Sequence, residues 1–430
     1  MKKQLVLFPI LFLLILGIFS LNAQPSTPLD YTLVVTGFDW GPHANKVILH
    51  SDTSLTEVQK EDFEVYVKRA SSKGEIPGRF STGKRAIIHA FVSDDQGNMV
   101  KEGGFITLLL QVAPNDPMGS PMQYFRNGGS GGNIWIDYNL TVVNTKTQQL
   151  WNREKNRIVP VVDEFDTSGT LTASDGIQLT YASYMPETTT AKIPLIIWLH
   201  GGGEGGTDPS IPIIANKASN YASPEIQRFF GSAAVLAPQT PTRWMHGVSG
   251  NTTRGQEDDI YHRAVMELVR RYVEDHPNID KNRIYVGGCS NGGYMTLKLL
   301  IENPNYFAAG YISSLAFFNE FVSDKDLLKL KNIPLWMVHS NDDPTTVADV
   351  TATPLYHRLK KIGAKNVHYS LFDHVVDITG QYGGSSYLYN GHWSWVYLHD
   401  NQVFNDFDGT SVTVKGKPVS IMEWMAAQKK

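Results

Sequence analysis

The residues best suited to chemistry are Gly288-Cys289-Ser290-Asn291-Gly292, a serine flanked by small residues in a Gly-x-Ser-x-Gly pattern. Such a pattern lets the backbone take a strained turn that lifts the serine hydroxyl clear of its strand, ready to attack an acyl carbon. Alone it is a weak signal, since Gly128-Gly129-Ser130-Gly131-Gly132 satisfies it as well. Context separates the two. The later copy follows the apolar run Arg283-Ile284-Tyr285-Val286 and leads into a helical stretch, Gly293-Tyr294-Met295-Thr296-Leu297-Lys298-Leu299-Leu300. That is the strand, turn and helix a nucleophile elbow requires. The earlier copy lies between strand-like segments and reads as a flexible loop. Cys289 is no substitute nucleophile, because moving the pattern back one residue puts Asn291 where glycine is needed; it reads as a buried thiol.

A serine hydroxyl is a poor nucleophile until a base takes its proton, and the oxyanion it creates needs donors already in place. The donors are expected in His200-Gly201-Gly202-Gly203-Glu204-Gly205-Gly206, which follows the apolar run 195–199 and leaves backbone N–H groups bare to a substrate. The oxyanion hole is assigned to the N–H groups of Gly202 and Asn291, with Gly201 or Gly203 as substitutes. The acid should follow a late strand, and Leu335-Trp336-Met337-Val338-His339-Ser340-Asn341-Asp342-Asp343-Pro344 ends one with two aspartates. Asp343 is preferred for its place before Pro344, while Asp342 suits a turn-stabilising side chain. For the base, His374 ends the last strand. His392, in Gly391-His392-Trp393-Ser394-Trp395, follows a glycine and precedes an apolar run that would clamp its ring at a rim, and it is preferred. Trp244 and Trp393 are candidates to line the acyl or leaving-group pocket.

The elements that must position these groups are legible around them. Short apolar runs at 195–199, 233–236, 284–286, 310–313, 335–338 and 367–371 alternate with helical patterns at 260–274, 293–302 and 354–362, after a hairpin at 171–184 turning at Asp175-Gly176. This predicts an α/β fold with a mostly parallel sheet, helices on both faces and the site at the carboxyl ends of the strands. Ahead of it, 31–36, 46–50, 63–67, 86–92, 105–112 and 133–143 alternate with period two, which predicts an all-β sandwich of immunoglobulin type. The predicted organisation is an immunoglobulin-like domain over 24–145, a connector over 146–162 and a catalytic domain over 163–430. Residues 1–23 read as a signal peptide: Lys2 and Lys3 precede an uncharged run, 5–19, that ends in Leu21-Asn22-Ala23-Gln24. The run is too short for a spanning helix and no cysteine follows it to take a lipid. The expected protein is therefore exported, periplasmic or secreted, without stable membrane insertion after cleavage.

Composition sets outer limits. The 430 residues carry 38 Lys+Arg against 42 Asp+Glu, a formal charge of −4, and removing Lys2 and Lys3 leaves 36 against 42. That balance excludes a strongly basic nucleic-acid binder. One cysteine excludes an intramolecular disulfide and a multi-cysteine metal cluster. The 13 histidines include no His-Glu-x-x-His pair, so neither metal nor cofactor is expected. Gly78-Arg79-Phe80-Ser81-Thr82-Gly83-Lys84-Arg85 imitates a phosphate loop, but Arg85 replaces the hydroxyl residue and a strand follows. Glu257-Asp258-Asp259 begins a helix, where negative charge suits the dipole, and reads as a cap.

As a set, the glycine loop, the elbow, the aspartate loop and the Gly391-His392-Trp393 segment, in the order serine, aspartate, histidine, resemble an α/β-hydrolase of the exported esterase or predicted-peptidase type. Asp280-Lys281-Asn282-Arg283-Ile284-Tyr285, Ala237-Pro238-Gln239 and Phe38-Asp39-Trp40-Gly41-Pro42 resemble esterases that carry an N-terminal immunoglobulin-like domain. The departures are Ser340, where such proteins usually have glycine, and the tail 406–418 ahead of a last helix at 421–428. The resemblance implies a serine esterase with the triad Ser290, Asp343 and His392, acting through an acyl-enzyme on a small-molecule or polysaccharide-linked ester. Two other readings stay open: a prolyl-oligopeptidase-like serine peptidase, although such enzymes usually carry a propeller longer than this N-terminal domain, and an inert glycan-binding protein. Nothing in the chain sets an oligomeric state.

Overall fold

The computed structural model describes residues 29–127, 130–187 and 192–430. The expected signal peptide, 1–23, lies outside them, as do Gly128 and Gly129 of the earlier Gly-x-Ser-x-Gly copy. The N-terminal part holds β1 (Leu29–Phe38), β2 (Gly41–Leu55), β3 (Phe63–Ala70), β4 (Thr82–Arg85), β5 (Ile87–Ser93), β6 (Gly103–Leu110), β7 (Met122–Asn127), β8 (Ser130–Trp135), β9 (Asp137–Asn144) and β10 (Leu150–Ile158). Eight of these form one array, β4-β3-β9-β10-β1-β2-β6-β5, antiparallel except where β1 meets β10. β4 and β5 stand at opposite ends of that order, yet only Ala86 separates them. The array must therefore curl until its edges meet. Arg85 marks the seam: its buried guanidinium donates to the carbonyls of Ala44 and Gln111 and to the Tyr138 hydroxyl. Alternate residues such as Leu33, Val47, Val65, Leu108 and Leu140 fill the interior, as the period-two patterns require.

Two expectations need correction here. The segment 146–162 is no connector, because β10 occupies most of it and pairs with both β1 and β9. Its sequence hides this: of Leu-Trp-Asn-Arg-Glu-Lys-Asn-Arg-Ile only Trp151 is buried, so no apolar alternation shows. The single strand expected over 133–143 breaks at Ile136 into β8 and β9. β8 leaves the main array to pair with β7, a strand the sequence did not reveal, in a separate two-stranded hairpin.

The C-terminal part forms a second sheet from β11 (Asp166–Thr172), β12 (Gln178–Tyr184), β13 (Ile193–Leu199), β14 (Ala234–Gln239), β15 (Ile279–Cys289), β16 (Ala309–Ser313), β17 (Leu335–Ser340) and β18 (Val367–Phe372). The order is β11-β12-β14-β13-β15-β16-β17-β18, parallel from β14 onward. The helices are α1 (Ser210–Ile214), α2 (Pro224–Phe230), α3 (His262–Asp275), α4 (Asn291–Glu302), α5 (Asp324–Leu330), α6 (Ala352–Lys361), α7 (Trp395–His399) and α8 (Ile421–Ala426). Every residue of β13 is buried, because both faces are covered. Leu195, Ile197 and Leu199 pack with α3, α4, α5 and α6, while Ile196 and Trp198 point to α1, α2, α7 and α8. The buried side chains on the Ile196 and Trp198 side form one cluster with the interior of the β domain. The immunoglobulin-like domain and the α/β-hydrolase sheet expected from the sequence are both present. Among the described residues no helix is long and apolar enough to cross a membrane.

Candidate active site

Ser290 lies between the end of β15 and the start of α4, at φ 55° and ψ −111°. Few non-glycine residues hold a positive φ, and such strain persists only where neighbours enforce it. Here the Ser290 N–H donates to the Ser313 carbonyl at 2.9 Å. Gly292 packs so tightly on β13 that a Cβ there would stand 1.8 Å from the Leu199 carbonyl oxygen. The turn aims Oγ at His392, whose Nε2 is 2.9 Å away. On its other side, His392 Nδ1 lies 2.9 and 3.0 Å from the two carboxylate oxygens of Asp343.

Asp343 is buried but richly supplied with donors. The N–H groups of Thr345 and Thr346 donate to Oδ1 at 2.8 and 2.9 Å, and the Thr346 hydroxyl donates to Oδ2 at 2.8 Å. His339 Nε2, 2.6 Å from the Thr346 carbonyl and 3.1 Å from Oδ2, faces two acceptors and so carries its proton. Burial alone would raise the carboxyl's pKa, but the bonds from His339 and His392 outweigh it and hold Asp343 well below the usual carboxylate range. An ionised Asp343 fixes the His392 tautomer: Nδ1–H faces the carboxylate and the Nε2 lone pair faces Ser290.

The rejected candidates form a pair of their own. His374 Nδ1 lies 2.8 Å from Asp342 at the surface, with half of the imidazole exposed, and shares no hydrogen bond with Ser290. Asp342 also takes a bond from the Ser340 hydroxyl and closes over Gly391, where a Cβ would fall 2.2 Å from its Oδ1. The chain thus brings together Ser290, Asp343 and His392 and sets Asp342 and His374 apart.

Asn291 is the first residue of α4, so its N–H has no acceptor within the helix. Its side-chain oxygen accepts from the Met245 N–H at 3.1 Å, and its amide nitrogen comes within 3.6 Å of where a Cβ on Gly202 would be. The glycine loop at Gly202 and the first residue of α4 therefore face each other. His200 braces the glycine loop: its ring Nδ1 is 2.6 Å from the Gly201 carbonyl, and burial lowers its pKa to about 4, keeping it neutral. Trp244, expected in the pocket wall, is instead fully buried beneath this loop, where its indole N–H donates to the His200 carbonyl at 3.1 Å. Arg243 and Met245 face the cavity, and the residue between them turns inward. Trp393 lines the cavity as expected. Cys289 is a buried thiol whose pKa burial pushes well up. Asp259 caps α3, accepting from the N–H groups of Tyr261 and His262 at 2.9 and 2.8 Å.

The cavity over Ser290 has a volume of about 870 Å³ and both domains wall it. Trp40, Tyr124, Arg126 and Asn133 come from the β domain, Arg254 and Trp393 from the other. Asn133 grips the glycine loop twice: its N–H donates to the Gly203 carbonyl at 2.7 Å and its amide to Glu204 at 3.1 Å. Burial lifts the Glu204 carboxyl to about 7, against the pull of that amide. Sequence reasoning missed this hairpin, His339, and the hydroxyls that clamp His392. Ser314 Oγ donates to the His392 carbonyl at 2.8 Å and meets Ser394 at 2.8 Å. Asn390, which accepts from the His392 N–H at 2.9 Å, was the one available signal, a capping residue two positions before the histidine.

Comparison with known proteins agrees with this division. Residues 30–156 match the family described as esterase Ig-like N-terminal domain, and residues 242–342 match the prolyl oligopeptidase family. A solved structure described as a thermostable esterase is similar over 93% of this chain and 99% of its own, with 22% identity and a TM-score of 0.73. A Pyrococcus horikoshii acylaminoacyl peptidase is similar over 77% of this chain and 65% of its own, at 16% identity and a TM-score of 0.37. A Schizosaccharomyces pombe protein whose name is that of a dipeptidyl aminopeptidase is 38% identical over 65 residues, 15% of this chain and 7% of that protein's length.

Proposed function

We propose that this serine hydrolase, an esterase-type immunoglobulin-like domain joined to a catalytic domain with a prolyl oligopeptidase-family segment, cleaves carboxylic esters through an acyl-enzyme. The observation that carries the reading is the unbroken relay from Ser290 Oγ through His392 to Asp343, 2.9 Å at each step, opening on the cavity both domains share. His392 Nε2 takes the hydroxyl proton as Oγ attacks the ester carbon. The charge that develops on the carbonyl oxygen is received by the N–H groups of Gly202 and Asn291. Asp343 stabilises the imidazolium, which then gives its proton to the leaving alkoxide; water repeats the sequence to release the acid. Trp393 would border the group that enters the cavity.

Ester rather than peptide substrates are favoured by the N-terminal domain, a single curled array of eight strands that forms no propeller. The esterase whose fold spans both parts of the chain points the same way. The prolyl oligopeptidase match is what favours a peptidase as the second reading. A panel of para-nitrophenyl esters, acetylated or feruloylated glycans and peptide amides tests this. Esters should be cleaved and amides not, both in a Ser290-dependent way. Comparable kcat/KM on peptide amides would make the protein a peptidase, and loss of neither activity in Ser290→Ala would remove the serine mechanism. Export rests on the leader sequence, and a mature N-terminus near Gln24 in the exported fraction would support it.

A further inference from the structure

The wall of the cavity carries a charge pattern that ester cleavage does not use. On β7, Met122, Tyr124 and Arg126 share one face and all three line the cavity. Arg126 stands opposite Gly131 of β8, which offers no side chain to cover it. From the catalytic domain, Arg254 lays its guanidinium over the Phe318 ring at 4.7 Å and lines the same cavity. Arg243 joins them, with its Cδ 3.6 Å from where a Cβ on Gly202 would be. Among the described residues neither Arg126 nor Arg254 has a carboxylate partner or a hydrogen bond from its guanidinium. The two carboxylates of the lining are already committed. Asp39 takes Lys217 at 3.0 Å, and Glu204 takes the Asn133 amide while burial keeps it protonated up to about pH 7.

The mouth is thus positive on a chain whose formal charge is −4, so the excess is local. A cleft lined by one sign of charge concentrates ligands of the other sign, and a guanidinium fork matches a carboxylate in shape. Resting on the ester reading above, we propose that the natural substrate carries a carboxylate, which Arg126 and Arg254 receive while its ester bond lies at Ser290. Two domains contribute to that recognition.

The test compares matched pairs of esters. One pair places the carboxylate on the acyl side, para-nitrophenyl hydrogen glutarate against para-nitrophenyl valerate. The other places it on the alcohol side, acetylated glucuronic acid against acetylated glucose. At least one charged member should exceed its neutral match in kcat/KM by about tenfold or more, mostly through KM. The pair that responds identifies the side. High salt should shrink the preference, because the arginines are partly open to solvent. Arg126→Gln with Arg254→Gln should bring the ratio towards one, whereas the double lysine variant, which keeps both charges, should retain a preference. Melting curves establish that both variants are folded. Ester turnover with no preference for either charged member, or a preference that survives the glutamine variant, overturns this proposal and leaves the esterase reading intact. Failure to cleave any of the four esters overturns that reading and this one with it.

Discussion

Ser290 keeps a backbone conformation that costs energy, and its side chain adds little to the packing around it. Ser290→Ala should therefore abolish ester hydrolysis and labelling by a phosphonate while the melting temperature stays close to wild type; a variant that unfolds would show that the hydroxyl is structural. His392→Ala should lower kcat on the order of 10³-fold or more. His374→Ala, at an exposed pair with Asp342, should cost little, and the reverse ranking would transfer the base to His374. Glu204 gives a pH signature. Its folded carboxyl titrates near 7 against an ordinary 4.5, so the folded protein holds a proton that the unfolded chain releases. The stabilisation is complete below about 4.5 and is lost as the pH rises through about 7. Glu204→Gln should accordingly match wild type near pH 5 more closely than near pH 8, where it should be the more stable by at most about 3 kcal/mol. A gap that widens towards acid would contradict the assignment. The three relay residues were legible because each has a marked neighbour, Gly288 and Gly292, Pro344, and Gly391, and because Ser290 and Asp343 also follow strand ends, whereas His392 lies in a turn ahead of α7. His339 was not, since a histidine inside an apolar strand looks like core until its acceptor is known.

At the scale of elements, legibility followed burial on two faces. β13 reads as a strand because every residue in it is apolar and covered, whereas β10 is charged along its length and announces nothing. The hairpin of β7 and β8 was missed for a related reason: its inner face borders a cavity, so Tyr124, Arg126 and Asn133 replace the apolar residues that alternation looks for. That hairpin holds the glycine loop from outside the catalytic domain. Asn133→Ala removes the amide that reaches Glu204 and keeps the backbone bond to Gly203. We expect kcat to fall about tenfold with KM little changed, because an oxyanion donor displaced slightly is lost mainly in the transition state. An Asn133→Ala enzyme with wild-type kcat would show that the hairpin is a wall and not a brace. Gly391→Ala should be worse, since its Cβ has no room beside Asp342; it should destabilise the protein by about 2 kcal/mol or more and carry His392 out of line.

The whole molecule is less divisible than its sequence suggests. A change from period-two texture to alternating strands and helices ended the β domain at residue 145, but β10 carries that domain on to Ile158, and the apolar interior crosses the junction as well. One buried cluster runs from Leu33 and Val47 in the curled array to Ile213, Trp198 and Met422 around the hydrolase sheet. The polar contacts across the junction are also specific. Lys217 lies between Asp39 at 3.0 Å and Asp400 at 2.6 Å, and the Trp135 indole donates to Ser210 at 2.8 Å. Gly37 and Gly41 let the first strands approach α1 closely enough that added Cβ atoms would touch Ile214 and Ala215. A chain beginning at Val159 loses all ten strands of the β domain and bares the face of α1 that they cover. It should melt well below the full protein or aggregate, because removing several buried apolar side chains from a shared cluster costs about 1.5–3 kcal/mol each. Whatever part of it stays folded should also lose turnover, with Asn133 gone from the glycine loop, and should lose any selectivity between bulky esters that the Tyr124 and Arg126 wall provides. Unchanged melting and unchanged kinetics on both small and bulky esters would instead make residues 24–158 an independent module, tethered to an active site that needs nothing from it.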